Sequence, residues 1–434
     1  MGLSQNFLGL SSVFRALSHR NYRLFFGGQS ISLIGTWLQL TAVSWLVFRL
    51  TDSSFLLGVV GFSSRIPTFV LASLAGVLVD RWNRHRLLVA TQVFSLIQAL
   101  ILAILVLTGT IAIWHIIVLT LLLGIVNAFD IPVRQSFIVE MIERREDLGN
   151  AIALNSSMVN GARLLGPSVA GTLIALMGEG FCFLLNALSF VAVIAALLAM
   201  RITPKTRARQ KTPLWQGLTE GYRYAFGFFP IRSLLLLLAL VSFMAMPYTV
   251  LMPVFAGRIL HGGPETLGFL LGATGVGALA GTLFLASRKS VLGLGRIIVI
   301  GSSLFGMGLI GFSFSRVFWL SAIMMVVTGF GMMIQMTSTN TVLQTIVDED
   351  KRGRVMSFYT MAFMGMVPFG SLFAGSLASA IGTPETTMVG GISCILGSLL
   401  FARKLPAFRE TVRPIYMERG ILSERSLPTA SPEH

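Results

Sequence analysis

The chain has 434 residues, 54% of them hydrophobic and only 12% charged, with 33 Lys and Arg against 18 Asp and Glu for a net charge of +15. So little polar surface cannot clothe a water-soluble core of this size, so lipid must solvate much of the chain. The excess of positive charge is spread along the whole length rather than gathered in one patch, which excludes the reading as a nucleic-acid-binding protein.

A bilayer-crossing helix needs roughly 20 apolar residues. Blocks of that length predict an all-α membrane protein with twelve transmembrane helices, near 22–49, 55–78, 87–107, 111–133, 151–177, 181–200, 231–255, 267–287, 294–314, 317–346, 355–381 and 386–402. Of the 33 basic residues, 28 fall in or at the margins of the N-terminal segment, the even-numbered connections and the tail, and three, Arg49, Arg258 and Arg316, in or at the margin of the odd-numbered connections. Basic residues mark the cytoplasmic loops, so both termini are expected in the cytoplasm. Residues 1–20 carry Arg15 and Arg20 and lack a short apolar core with a cleavage site, so no cleavable signal is expected and the first helix serves as anchor. Residues 1–21 then form a cytoplasmic segment, 22–200 and 231–402 two six-helix halves, 201–230 a basic linker with Lys205, Arg207, Arg209, Lys211 and an interfacial amphipathic stretch through Trp215 and Tyr222, and 403–434 a tail. The Pro, Ser and charged residues after Pro406 predict disorder there. Cys182 and Cys394 lie in helices of different halves without a Cys-x-x-Cys spacing, and are expected to be inert core thiols.

The halves repeat one plan. Gly149 and Gly353, Ala170-Gly171 and Ala374-Gly375, and Gly178 and Gly382 are each 204 residues apart, and Leu74-Ala75-Gly76 and Leu279-Ala280-Gly281 are 205 apart. Glycine within the helices lets backbones approach closely where lipid removes the hydrophobic drive for helix association.

Ionisable groups inside a membrane are costly, so each is a functional candidate. The chain has three clear ones: Asp130, Arg65 and Arg163. An i,i+4 ion pair with Arg134 would account for Asp130. Helix five places Ser156, Asn160, Arg163, Pro167 and Ala170 on one face. Helix one offers Gln29, Ser32, Thr36 and Gln39 with Trp37, helix ten offers Gln335, Ser338 and Asn340, and helix eleven offers Tyr359. A cavity between the halves lined by Arg65, Arg163, Asn160, Thr36, Gln39, Trp37, Gln335, Asn340 and Tyr359 would suit a moderately large amphipathic ligand. No metal or cofactor site is expected.

The connection Gly76-Val-Leu-Val-Asp80-Arg81-Trp-Asn-Arg84-His-Arg86 resembles the signature of the major facilitator superfamily, whose plan is two six-helix halves. That resemblance implies a cytoplasmic latch of Gly76, Asp80, Arg81 and Arg84, with Asp80 facing the positive end of helix eleven and Arg84 paired with an acid of helix four, here Asp130. The second half lacks it, Leu285 standing where the aspartate would fall. Ala162-x-x-x-Gly166-Pro167-x-x-Ala170-Gly171 is similar to the antiporter-associated motif of drug exporters. The strings Asn340 to Ser357, which includes Arg352 and Arg354, and Pro368 to Gly375 resemble the branch of enterobactin exporters and macrolide-efflux proteins. Phe129 to Gln135 and Arg163 to Pro167 are similar to its first-half strings. The resemblance implies a bacterial inner-membrane exporter, monomeric, taking a small molecule against protons.

No Gly-x-x-x-x-Gly-Lys-Ser/Thr loop is present for a nucleotide-driven pump, and the five His residues never pair with an embedded acid as an enzyme site requires. The expected function is secondary active export by alternating access, with proton antiport. A gradient-driven importer or passive facilitator is the alternative, and an integral-membrane enzyme or a non-transporting scaffold is the reading from another class. Coupling needs a group whose proton affinity changes with conformation. Asp130 is the first candidate and Asp80 the next. Two mid-span arginines without a mid-span acid predict an anionic, carboxylate- or catechol-bearing substrate, because a guanidinium is a planar fork suited to such oxygens.

Overall fold

The computed structural model describes residues 14–201, 222–288 and 290–422, and within the second helix the backbone alone at 72, 73, 76, 77, 80 and 81. The first six long helices are α1 Arg20–Thr51, α2 Ser54–Arg81, α3 Arg84–Leu107, α4 Ile113–Met141, α5 Leu148–Met177 and α6 Glu179–Leu198. The second six are α7 Phe229–Ile259, α8 Pro264–Ala286, α9 Leu294–Phe314, α10 Phe318–Ile346, α11 Arg352–Ile381 and α12 Thr383–Glu418. No strand occurs among the described residues. Eleven of the helices are long and apolar enough to cross a bilayer. The twelfth, α5, is 30 residues long but carries Asn155, Ser156, Ser157, Asn160, Arg163 and Ser168. Such a helix must turn its polar face to other helices or to water rather than to lipid.

Local chemistry sets the breaks. Ser53 accepts from the Leu56 N–H to start α2, and Asn83 accepts from Arg86 to start α3, each satisfying a donor that a helix start leaves unpaired. Gly178 (φ 82°) and Gly382 (φ 104°) make the sharp turns after α5 and α11, in a conformation that glycine adopts without penalty. These are the same turn in the two halves. The helix α7 is interrupted before Pro247, and both α7 and α11 contain a π turn, at Phe255–Ile259 and Met361–Gly365.

Within the first half α1 packs on α5 and α6, α2 on α4, and α3 on α4 and α6; within the second α8 and α9 pack on α10, and α12 on α9 and α7. The halves meet along two seams, α5 on α8 and α2 on α11. Glycines make both seams possible. A Cβ on Gly171 would lie 2.5 Å from the Pro264 carbonyl oxygen and 2.9 Å from the Gly268 Cα, and one on Gly58 would lie 2.7 Å from the Ser371 oxygen and 2.9 Å from the Gly375 Cα. Gly58 and Gly268 are 210 residues apart and Gly171 and Gly375 are 204 apart, so the two seams are one contact made twice across the repeat.

At the end holding residue 14 and residue 422, two expectations meet the structure. The linker from 202 to 221, including Lys205 to Lys211 and Trp215, lies outside the described residues, and the chain is helical again at 222–227. The tail is not disordered from Pro406, because α12 runs unbroken through Pro406 and Pro414 to Glu418. The reason is an apolar stripe, Phe401, Leu405, Phe408 and Val412, spaced 4, 3 and 4 and buried against the second-half core. Both prolines sit on the opposite, exposed face. The extension also reaches sideways, Arg419 Nη2 donating to the Val347 carbonyl at 2.9 Å.

Candidate functional site

Hydrogen bonds and rings join the halves on the side where α1 meets α2 and α7 meets α8. Arg258 pairs with Asp52, Ser54 Oγ lies 3.2 Å from Thr383 Oγ1, and Ser168 Oγ donates to the Gly268 carbonyl at 3.4 Å. Deeper along α2, Phe62 and Phe69 hold Phe369 of α11 between them, with ring centroids 6.0 and 5.7 Å away.

Arg163 stands where the α5–α8 seam narrows at Gly275, and Arg65 lies within the α2–α11 seam, between its Phe62 and Phe69 contacts. Arg65 follows Gly58 and Gly61 on the same face of α2 by seven and four residues, and both glycines touch α11. It lies 11 residues from the start of α2 and 16 from its end. Arg163 lies one turn before Pro167 on α5, 15 residues from its start and 14 from its end. The Arg163 carbonyl, which lacks the usual i+4 donor because Pro167 has no N–H, faces Gly275 of α8. Each arginine is within Coulombic reach of the other, and Arg163 of the buried Tyr248. Arg65 is exposed and Arg163 half-buried. Neither guanidinium has a hydrogen-bond or ion-pair partner in the protein among the described residues. Tyr248 was not singled out from the sequence.

Other expected lining residues divide. Thr36 is exposed and donates to the Ser32 carbonyl, and Asn160 donates to the Ser156 carbonyl on the polar face of α5. Trp37 packs on Gly166, where a Cβ would come within 2.5 Å of the Trp37 Cβ. Gly166 thus gives room to α1, while Pro167 and Gly171 of the same motif belong to the seam with α8. Three expectations are corrected. Gln39 is buried between helices, donating to Gln98 (2.9 Å) and accepting from Asn186 (2.7 Å). Gln335 is buried, and Tyr359 is buried with its hydroxyl on the Met336 carbonyl. Asn340 accepts from Gln344 on its own helix. Helical spacing assigns a residue to a face, and a polar face can meet a neighbouring helix as well as a cavity.

At the termini end the expected Arg84–Asp130 pair does not form. Arg84 Nη1 pairs with Glu140 Oε1 at 3.1 Å, while Asp130 is held by Thr91 (2.9 Å), Gln92 (2.7 Å) and Arg134 (3.2 Å). The reason is position, since Arg84 opens α3 and meets the last turn of α4, ten residues beyond Asp130. The side chains of Gly76, Asp80 and Arg81 lie outside the described residues. Arg352 and Arg354 open α11, with Arg352 3.8 Å from Glu349. The preceding loop is pinned by Asp348, which accepts from Tyr224 (3.1 Å) and Lys351 (3.3 Å).

A further cluster, unforeseen in the sequence, straps the N-terminal segment to the loop before α5. His19 Nε2 bonds Asp147 Oδ2 at 2.9 Å, the Glu143 N–H donates to His19 Nδ1, Arg15 pairs with Asp147, and the Tyr22 hydroxyl donates to the Ala151 carbonyl at 2.7 Å. The hydrogen bond from His19, with the charges of Arg15 and Arg144 added, holds the Asp147 carboxyl below the usual range against the opposing effect of burial.

Twelve helices in two repeated halves, meeting on two glycine seams, have the plan of the major facilitator fold. The chain belongs to the transmembrane secretion effector family, whose model matches residues 11–421. It is 27% identical to the staphyloferrin A transporter of Staphylococcus aureus over 87% of this chain and 95% of that protein. It is 24% identical to the multidrug efflux pump Tap of Mycolicibacterium fortuitum over 87% and 93% of the two chains. Among solved structures, its fold matches a bacterial homologue of the iron transporter ferroportin with a TM-score of 0.67 at 15% identity, over 88% of this chain and 98% of that one.

Proposed function

We propose that this chain exports an anionic amphipathic small molecule, with carboxylate or catecholate oxygens, from a bacterial cytoplasm across the inner membrane by alternating access. The observation that carries the reading is the pair of guanidinium groups at mid-span, without partners among the described residues and within Coulombic reach of each other. A buried arginine costs at least about 2.5–3.5 kcal/mol on insertion scales, and a bound anion offsets that cost for two arginines at once. The staphyloferrin A in the name of the first relative and the drug efflux in that of the second support export of a small molecule. The basic loops support a cytoplasmic location for both termini, and on that reading the joined seams face outward. Proton antiport is assigned to Asp130, whose protonation would release Arg134 and with it the link between two turns of α4. Binding of a carboxylate siderophore to the purified protein tests the reading. Arg163→Lys should weaken it although charge is kept, and Arg163→Gln should weaken it further. Equal binding of neutral macrolides with and without Arg163, and no siderophore binding in the wild type, would overturn it.

A further inference from the structure

Away from the mid-span arginines, at the termini end of the second half, the first turn of α9 and the extension of α12 enclose a groove of about 370 Å³. Its floor is apolar, from Leu292, Leu405, Phe408 and Val412, and its rim carries Arg296, Arg409 and Arg413. The groove is built rather than incidental. Gly295 lets α9 come so close to α12 that a Cβ there would lie 2.8 Å from Leu405, and Arg288 Nη2 closes the preceding turn on the Leu292 carbonyl at 3.0 Å. The three rim arginines are exposed and have no acidic partner among the described residues, although ion pairs occupy other basic groups at this end.

Its depth in the membrane follows from helix length. A span takes roughly 20 residues, so α12, which begins at Thr383, leaves the apolar layer near residue 403 and Leu405 to Val412 lie at the headgroup boundary. Leu294 begins α9 at the same level. Acyl chains reach such a place from the side and a phosphate meets it from the water. We infer that this groove binds one anionic phospholipid of the leaflet at the termini end, its phosphate held by Arg296, Arg409 and Arg413 and its acyl chain laid on Leu292, Leu405 and Phe408. Charge complementarity selects the occupant, because an apolar floor under three unpaired guanidinium groups suits an anionic amphiphile and rejects a zwitterionic or cationic one.

The full chain in mild detergent, titrated with phosphatidylglycerol or phosphatidylcholine and observed by native mass spectrometry and thermal unfolding, tests this. One phosphatidylglycerol should bind at least about ten-fold more tightly than phosphatidylcholine, given the attraction of each basic side chain to an anionic headgroup, and should raise the unfolding temperature. The combined variant Arg296→Gln, Arg409→Gln, Arg413→Gln should lose both the preference and the shift. If that variant unfolds on purification, Arg413→Glu alone should reduce the preference. Equal affinity for the two lipids, an unchanged preference in the variants, or displacement of the lipid by glycerol 3-phosphate at equal concentration would overturn the assignment.

Discussion

The carboxylate of Asp130 is gripped from three directions within α3 and α4, whereas Arg84 answers to Glu140 about 15 Å further along α4 at 1.5 Å per residue. The two belong to separate clusters, so Arg84→Ala and Asp130→Asn should add in their effects on transport. Arg84→Ala and Glu140→Gln should instead couple by about 0.5–3 kcal/mol in a double-mutant cycle of stability. Coupling between Arg84 and Asp130 with none between Arg84 and Glu140 would reverse the assignment. Titration of the Asp147 strap has a definite sign. A carboxyl held below its unfolded value, near 3.9, stabilises the fold above that pH, and the contribution disappears only as pH falls through the lowered value. The carboxylate should therefore keep residues 15–23 protected from hydrogen exchange down to about pH 4, and Asp147→Asn should deprotect them already at pH 7. At this scale the charges were legible and the uncharged polar residues were not. Arg65 and Arg163 stood out because nothing in lipid hides a guanidinium. Gln39 and Gln335 sit on helix faces that the sequence can identify, but only the fold shows that those faces meet Gln98, Asn186 and the packed interior.

Helices were the most legible level, since a bilayer demands about 20 apolar residues per crossing, and the repeat pair Gly178 and Gly382 makes the same turn in both halves. Where the reading stopped short, at Pro406, proline chemistry outweighed periodicity. The stripe Phe401, Leu405, Phe408 and Val412 already had helical spacing, and burial of that stripe holds the helix together past two missing N–H donors. Phe408→Ala should accordingly lower stability by about 3 kcal/mol, read as a fall in thermal unfolding temperature. Pro406→Ala, on the exposed face, should be neutral or stabilising because it restores a helical hydrogen bond. A helix that tolerates Phe408→Ala without loss would show that the extension merely rests on the core. The polar helix α5 illustrates the same balance from the other side. Its serines, asparagine and arginine make it the least lipid-like span, and it is the one that meets α1 and α8 rather than standing at the periphery.

Across the molecule the two seams share one geometry, so a single rocking of the halves would open both. Gly171 touches Gly268 and Gly58 touches Gly375 at distances that leave no room for a methyl group. Gly171→Val should wedge the α5–α8 seam apart, making a cysteine introduced at Glu265 accessible to a membrane-impermeant thiol reagent and lowering transport even though no substrate contact changes. The converse experiment locks the seam. Ser54 and Thr383 bring their side-chain oxygens to 3.2 Å across the α2–α12 junction, close enough for a disulfide once both are cysteine, provided the Cβ atoms come within about 4.5 Å. Cys182 and Cys394 are fully buried and should not compete. Under oxidation, Ser54→Cys with Thr383→Cys should arrest export in vesicles, because the halves could no longer part at that end. Reduction should restore transport to the level of the unoxidised variant. Oxidised protein that still exports at full rate would mean that the seam does not open during transport, and the alternating-access reading would fail with it.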